Sequence, residues 1–178
     1  MKFRKFRFSG GREKYDPANA SPMNDWAERE RYRGGEASGA PINCKGDPVS
    51  DKGNAPIILD IIKEAEMNTD FRRVIWTGKN FQITLMSIPA GDDIGLEYHE
   101  GFDQLLYVAS GEGEALMGKL PDRMTVHDKL SPGVVVVIPS GTYHNVISGS
   151  RRPLKLISVY APKAHPFGRV DKTNPDKG

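Results

Sequence analysis

Gly95-Leu96-Glu97-Tyr98-His99-Glu100-Gly101-Phe102-Asp103-Gln104 and, some forty residues later, Pro139-Ser140-Gly141-Thr142-Tyr143-His144-Asn145 decide the reading of this chain. Residues two apart in a strand point to the same face, so Glu97 and His99 project together and Leu96 and Tyr98 project oppositely. A turn at Gly101 opens the next strand near Asp103. With Gln104 inward, Leu106 and Val108 follow it and form an apolar floor. His144 comes just after a Pro-x-Gly turn and shares a face with Val146. Glu97, His99, Gln104 and His144 thus converge from three strands. Imidazole and oxygen donors suit one borderline divalent ion such as Zn, Mn, Fe, Ni or Cu. Two histidines and one carboxylate also match the donor inventory of non-haem iron, with Gln104 as a fourth ligand or as a group that orients bound water or substrate. Asp103 is the rival carboxylate, but the strand register to Gly111 favours Gln104.

Around these stretches the pattern is β from Pro56 onward. Ile57-Ile58-Leu59-Asp60-Ile61-Ile62 reads as a compact β-branched run. Phe71–Trp76 and Phe81–Ile88 follow, each closed by glycine or proline, and further strands are expected at 103–109, 113–118, 124–130, 134–138, 142–148 and 154–160. Many short strands with turn residues between them predict an all-β sandwich or barrel. Val134 to Ile138 has no polar face, which predicts a strand covered on both sides, by the core and by a second layer or a subunit. Gly111, Gly113, Gly133 and Gly141 are read as turn residues needing positive φ. No helix follows them, as a phosphate-binding loop requires.

Before residue 55 the composition changes. Ser9-Gly10-Gly11, Asp16-Pro17-Ala18-Asn19, Arg33-Gly34-Gly35 and Lys45-Gly46-Asp47-Pro48 cannot bury enough apolar surface to offset the entropy of ordering. The chain therefore divides into an irregular N-terminal extension, 1–55, and a β domain, 56–178. Residues 1–14 carry six Lys/Arg against one Glu, with Phe3, Phe6 and Phe8 interleaved. This start reads as an arm lying on a partner subunit or protein, in preference to a nucleic-acid contact. Asn24 to Arg33, with Asn24 as N-cap, predicts a short exposed helix. A net charge of +2 argues for neither nucleic acid nor membrane as a partner, and no apolar stretch approaches the roughly 20 residues of a membrane span. The single cysteine, Cys44, excludes an internal disulfide framework and suits a cytoplasmic location. In its polar surroundings it reads as an incidental thiol.

The other chemistry-bearing residues have simpler readings. Tyr98 and Tyr107 fall opposite the ligand face and pack. His127 lies in a polar hairpin and is exposed. His165 fixes the turn that leaves the last strand, and Trp76 anchors packing.

These two stretches resemble the paired motifs of the cupin superfamily. Gly91 or Gly95 supplies the opening glycine of the first motif, Glu97 stands at its first His position and His99 at its second. Gln104 stands at its Glu position, followed by six residues and Gly111. Gly133, Pro139, Gly141 and His144 match the second motif, with Ser148 in place of its distal Asn. The resemblance implies a small jelly-roll β-barrel holding one metal ion. The Glu97/His99/Gln104/His144 set is similar in kind to the Gln/His/Glu/His set of the phosphomannose isomerases, which share the fold. Phrases such as Ile88-Pro89-Ala90-Gly91, Asp103-Gln104 and Tyr160-Ala161-Pro162 resemble a group of small bacterial cupins over roughly 56–170.

The reading that follows is a metal-binding cupin, a homodimer, that binds or acts on a small polar, sugar-like molecule in the barrel mouth. As an enzyme it is either a metal-dependent isomerase or a non-haem dioxygenase. The alternative is an assembly protein whose barrel dimerises and whose N-terminal arm engages a partner.

Overall fold

The computed structural model describes residues 50–177. The expected arm and the expected helix at 24–33 lie outside the described residues. The described residues form one α-helix, α1 (Ile61–Met67), ten strands, β1 (Arg72–Thr77), β2 (Gln82–Ile88), β3 (Glu97–His99), β4 (Asp103–Ser110), β5 (Gly113–Gly118), β6 (Val126–Leu130), β7 (Val135–Ile138), β8 (Thr142–Ser148), β9 (Leu154–Ala161) and β10 (Val170–Asp171), and a closing 3-10 turn at Pro175–Lys177. The strands form a six-stranded sheet, β10-β1-β2-β9-β4-β7, and a four-stranded sheet, β3-β8-β5-β6. Every ladder is antiparallel. This is the expected all-β jelly roll.

Its core follows from strand alternation. Met86 and Ile88 of β2, Leu106 and Val108 of β4, Val136 and Ile138 of β7, Val146 of β8 and Leu154 and Leu156 of β9 form one buried apolar cluster with Ala115 and Leu130. Burying each large aliphatic side chain stabilises the fold by about 1.5–3 kcal/mol. The intervening residues Ile75, Leu85 and Ile157 meet Ala65 of α1 on the other face of the six-stranded sheet.

Two expectations are corrected here. The run Ile57–Ile62 is not a strand: Asp60 caps a helix, its carboxylate accepting from the Lys63 N–H at 3.2 Å. An N-cap aspartate ahead of Lys63-Glu64-Ala65-Glu66-Met67, all good helix formers but for the cap itself, outweighs the β-branched start. The strand from 135 is covered on one side alone. Val136 and Ile138 are buried, whereas Val135 and Val137 are 49% and 59% exposed, because β7 is a sheet edge and α1 covers only the sheet's middle.

Glycine geometry sharpens a third expectation. Gly111, Gly133 and Gly141 do have positive φ, but Gly113 does not. Gly113 is needed for space: a Cβ there would stand 2.3 Å from the Ile147 carbonyl oxygen.

Candidate metal centre

The interior of the six-stranded sheet is apolar at one end and polar at the other. Residues opposed across an antiparallel ladder share a face. Gln82, Tyr160 and Gln104 are opposed in sequence across β2, β9 and β4, and all three are buried. The next row, Thr84 and Ser158 with Leu106, is buried too. The facing sheet contributes Glu97 and His99 of β3 and His144 of β8, with Glu97 directly opposed to His144.

These three side chains converge. Glu97 Oε2 lies 3.2 Å from His99 Nε2 and 3.5 Å from His144 Nε2, and one ligating atom from each residue falls within 4.8 Å of the others. The two imidazole rings are 5.0 Å apart. His144 is fully buried, while His99 and Glu97 retain some exposure, so the cluster opens on the His99 side. There the His99 ring stacks on Phe102 at 4.7 Å.

The tautomer of His144 follows from its partner. Nδ1 lies 3.1 Å from the Thr142 carbonyl oxygen, which only accepts, so Nδ1 carries the proton. In the neutral ring Nε2 is then a buried lone pair with no hydrogen-bond partner, facing a carboxylate oxygen that also only accepts. Two opposed acceptors without a donor between them are costly in a buried site. A divalent cation satisfies both, and the His144 Nδ1–H to carbonyl bond is the outer support that metal-bound histidines ordinarily have. The residues present fit a metal ion.

The charge state agrees. Burial by itself raises the Glu97 carboxyl; a proton on His144 or His99, and the Arg72 guanidinium, hold the group well below the ordinary carboxylate range, and with both imidazoles neutral Arg72 remains the charge that favours the carboxylate. The carboxylate form of Glu97 is therefore favoured. Arg72 supplies its other contact: Nη2 donates to Oε1 at 3.2 Å, and Nη1 lies 3.5 Å from Asp171 Oδ2.

Gln104 is buried on the opposite wall. Its amide nitrogen donates to Ser158 Oγ at 3.0 Å and to the Tyr160 hydroxyl at 3.1 Å, leaving Oε1 without a partner. Asp103 points outward and accepts from the Ser140 N–H at 2.9 Å, which closes the turn before His144. Tyr98 stacks on Tyr143 outside the cluster, and exposed His127 pairs with Glu114 at 2.7 Å.

Sequence reasoning missed Arg72, Phe102, Tyr160 and part of the role of His165. The backbone of His165 does fix the turn, exchanging hydrogen bonds at 2.9 Å with the amide of Gln82. Its ring, however, sits edge-on to Tyr160 at 4.8 Å. Burial pushes the Tyr160 phenol up, so it stays neutral. The signal for Tyr160 was present as the alternation Leu154, Leu156, Ser158, Tyr160.

Comparison with known proteins shows the family. Residues 84–160 match the cupin domain family. The chain is 44% identical over 128 residues to the uncharacterized protein YrkC of Bacillus subtilis (strain 168), covering 72% of this chain and 69% of that protein. It is 36% identical over 126 residues to the uncharacterized protein L612 of Acanthamoeba polyphaga mimivirus, covering 70% and 77%. The crystal structure of BH2720 from Bacillus halodurans superposes with a TM-score of 0.70 at 44% identity, over 71% of this chain and 96% of that one. The chain belongs to the cupin superfamily.

Proposed function

We propose that this cupin holds one divalent metal ion through Glu97, His99 and His144, with Gln104 Oε1 as a fourth donor, and uses it to bind or transform a small polar, sugar-like molecule. The observation that carries the reading is the buried, partnerless Nε2 of His144 facing a Glu97 oxygen that is held ionised. An ion in this donor set would polarise a carbonyl or hydroxyl oxygen of the ligand, or bind dioxygen if it is iron. The protein's own part is orientation and exclusion of water. His144 and Gln104 form the buried floor, Phe102 and His99 flank the open side, and the neutral Tyr160 hydroxyl offers a hydrogen bond. The test is metal analysis of untagged protein, followed by anaerobic turnover of sugars and sugar phosphates and oxygen uptake after iron loading. Absence of stoichiometric metal from both purified and reconstituted protein overturns the proposal.

A second reading, an assembly protein whose barrels pair as a homodimer and whose N-terminal arm engages a partner, draws on the exposed apolar side chains Leu105, Val135 and Val137 along β4 and β7. Sedimentation of the Val137→Asp variant tests it, and an unchanged mass counts against it. Among the described residues no helix is long and apolar enough to cross a membrane. We place the protein in the cytoplasm on its single cysteine.

A further inference from the structure

Arg72 is a cation at an inward-facing position. It is opposed to Met86 on one side and to Asp171 on the other, and its side chain is 8% exposed. Taking a guanidinium out of water among apolar groups is rarely repaid by ion pairing, so stability is a weak explanation for an arginine here. What it does is specific. It grips Oε1 of Glu97 with one nitrogen and reaches Asp171 Oδ2 with the other, and the planar fork fixes both at once. Asp171 is itself held from outside by Arg169, whose Nε donates to it at 3.0 Å.

We infer that Arg72, anchored by Asp171, is a positioning residue that withholds one oxygen of Glu97 from the metal and so keeps a coordination position open for an exogenous ligand. The inference rests on the metal reading proposed above. A carboxylate ligates an ion through one oxygen or through both. With Oε1 engaged by Arg72, only Oε2 faces the two imidazoles. Released from Arg72, the carboxylate is free to swing and offer both oxygens, which fills the position that a small oxygen- or nitrogen-donor ligand would use. The brace also preorganises Glu97, whose supporting partners ordinarily contribute roughly 10–100-fold to metal affinity.

The test uses cobalt(II) as the probe metal, read by visible absorption, with azide as the exogenous ligand. Full-length wild type, Arg72→Met, Arg72→Lys and Asp171→Asn are compared. Wild type is expected to bind one cobalt(II) and to change its spectrum with azide. Arg72→Met is expected to bind cobalt(II) roughly 10–100-fold more weakly and to lose the azide response, and Arg72→Lys to recover part of that response. An azide response in Arg72→Met equal to that of wild type overturns the inference whatever the affinity. A wild type that binds cobalt(II) without any azide response overturns it too, while leaving the metal reading intact. A wild type that binds no cobalt(II) overturns both. Should Arg72→Met fail to fold by circular dichroism, Asp171→Asn decides: a spectrum and azide titration unchanged from wild type overturn the brace.

Discussion

Glu97 stands directly opposite His144 across β3 and β8, its Oε2 3.5 Å from the Nε2 of that buried histidine. A one-residue slip of β3 along β8 would turn Glu97 and His99 to the outside while β5 keeps His144 in place. The centre therefore depends on the register as much as on the residues, and the end of the ladder is tied by the Gly141 N–H donating to the His99 carbonyl at 2.7 Å and the Gly101 N–H donating to Ser140 Oγ at 2.9 Å.

His144→Ala and Glu97→Gln are expected to lose metal by more than the roughly 10–100-fold that an outer partner costs. Metal added to wild type at a hundred times its dissociation constant stabilises the fold by about 2.7 kcal/mol, and neither variant should show this gain. Thermal unfolding with and without metal checks it, and a full metal-induced shift in either variant contradicts the assignment.

Gln104→Leu separates two roles. It leaves Ser158 Oγ and the Tyr160 hydroxyl without their donor, a loss of about 1–3 kcal/mol in denaturant unfolding of the metal-free protein. Reduced metal affinity in the same variant is expected if Oε1 is the fourth donor. Unchanged affinity, measured by competition with a chelator, would leave Gln104 a purely structural group.

His165 governs part of the acid sensitivity of the fold. Burial first, then the charges of Arg72 and Arg169, bring it from the ordinary 6.5 down to about 4. As pH falls from 6.5 to about 4, the unfolded chain takes up a proton here that the folded chain refuses. Stability from this group is thus complete above pH 6.5 and declines through that window. Solvent screening at this partly open position keeps the effect on the order of 1 kcal/mol. Urea unfolding at pH 7 and pH 5 should show a smaller drop for His165→Phe than for wild type, and equal drops would refute the claim.

Two glycines with nearly the same φ should respond very differently to alanine. Gly133, at φ 91°, has open space where its Cβ would go, so Gly133→Ala costs backbone strain alone, about 1–2 kcal/mol. At Gly111, φ 90°, the added Cβ would meet the Pro153 carbonyl oxygen at 2.5 Å. Overpacking adds to strain there, and Gly111→Ala is expected to cost on the order of 3 kcal/mol or more. Similar midpoints in guanidinium for the two variants would contradict this.

How much of this was legible in the residues varies with the kind of information each element needs. Eight strands from β1 onward and the inward set of β4, Gln104, Leu106 and Val108, follow from alternation, which is local. So do Glu97, His99 and His144, since each lies beside a turn that marks its place. The helix at Ile61–Met67 was obscured because Asp60 splits an apolar run whose composition fits either state. Arg72 was illegible for a different reason. Its role depends on Glu97, 25 residues away, and on a ladder with β10 that alternation in β1 does not announce. Val135 and Val137 show the reverse failure: the apolar composition was plain, but the edge position that exposes one side of it is a property of the sheet.

The pairing of Arg72 with Asp171 also imposes an order in time. During synthesis Asp171 emerges about a hundred residues after Arg72, which at about 5–20 residues per second is a delay of about 5–20 s. Glu97, His99 and His144 all leave the ribosome within that interval, before the strand that completes the brace. Arg72 and Glu97 can therefore meet before Asp171 exists, and the fork that holds Glu97 gains its own anchor only when β10 docks against β1.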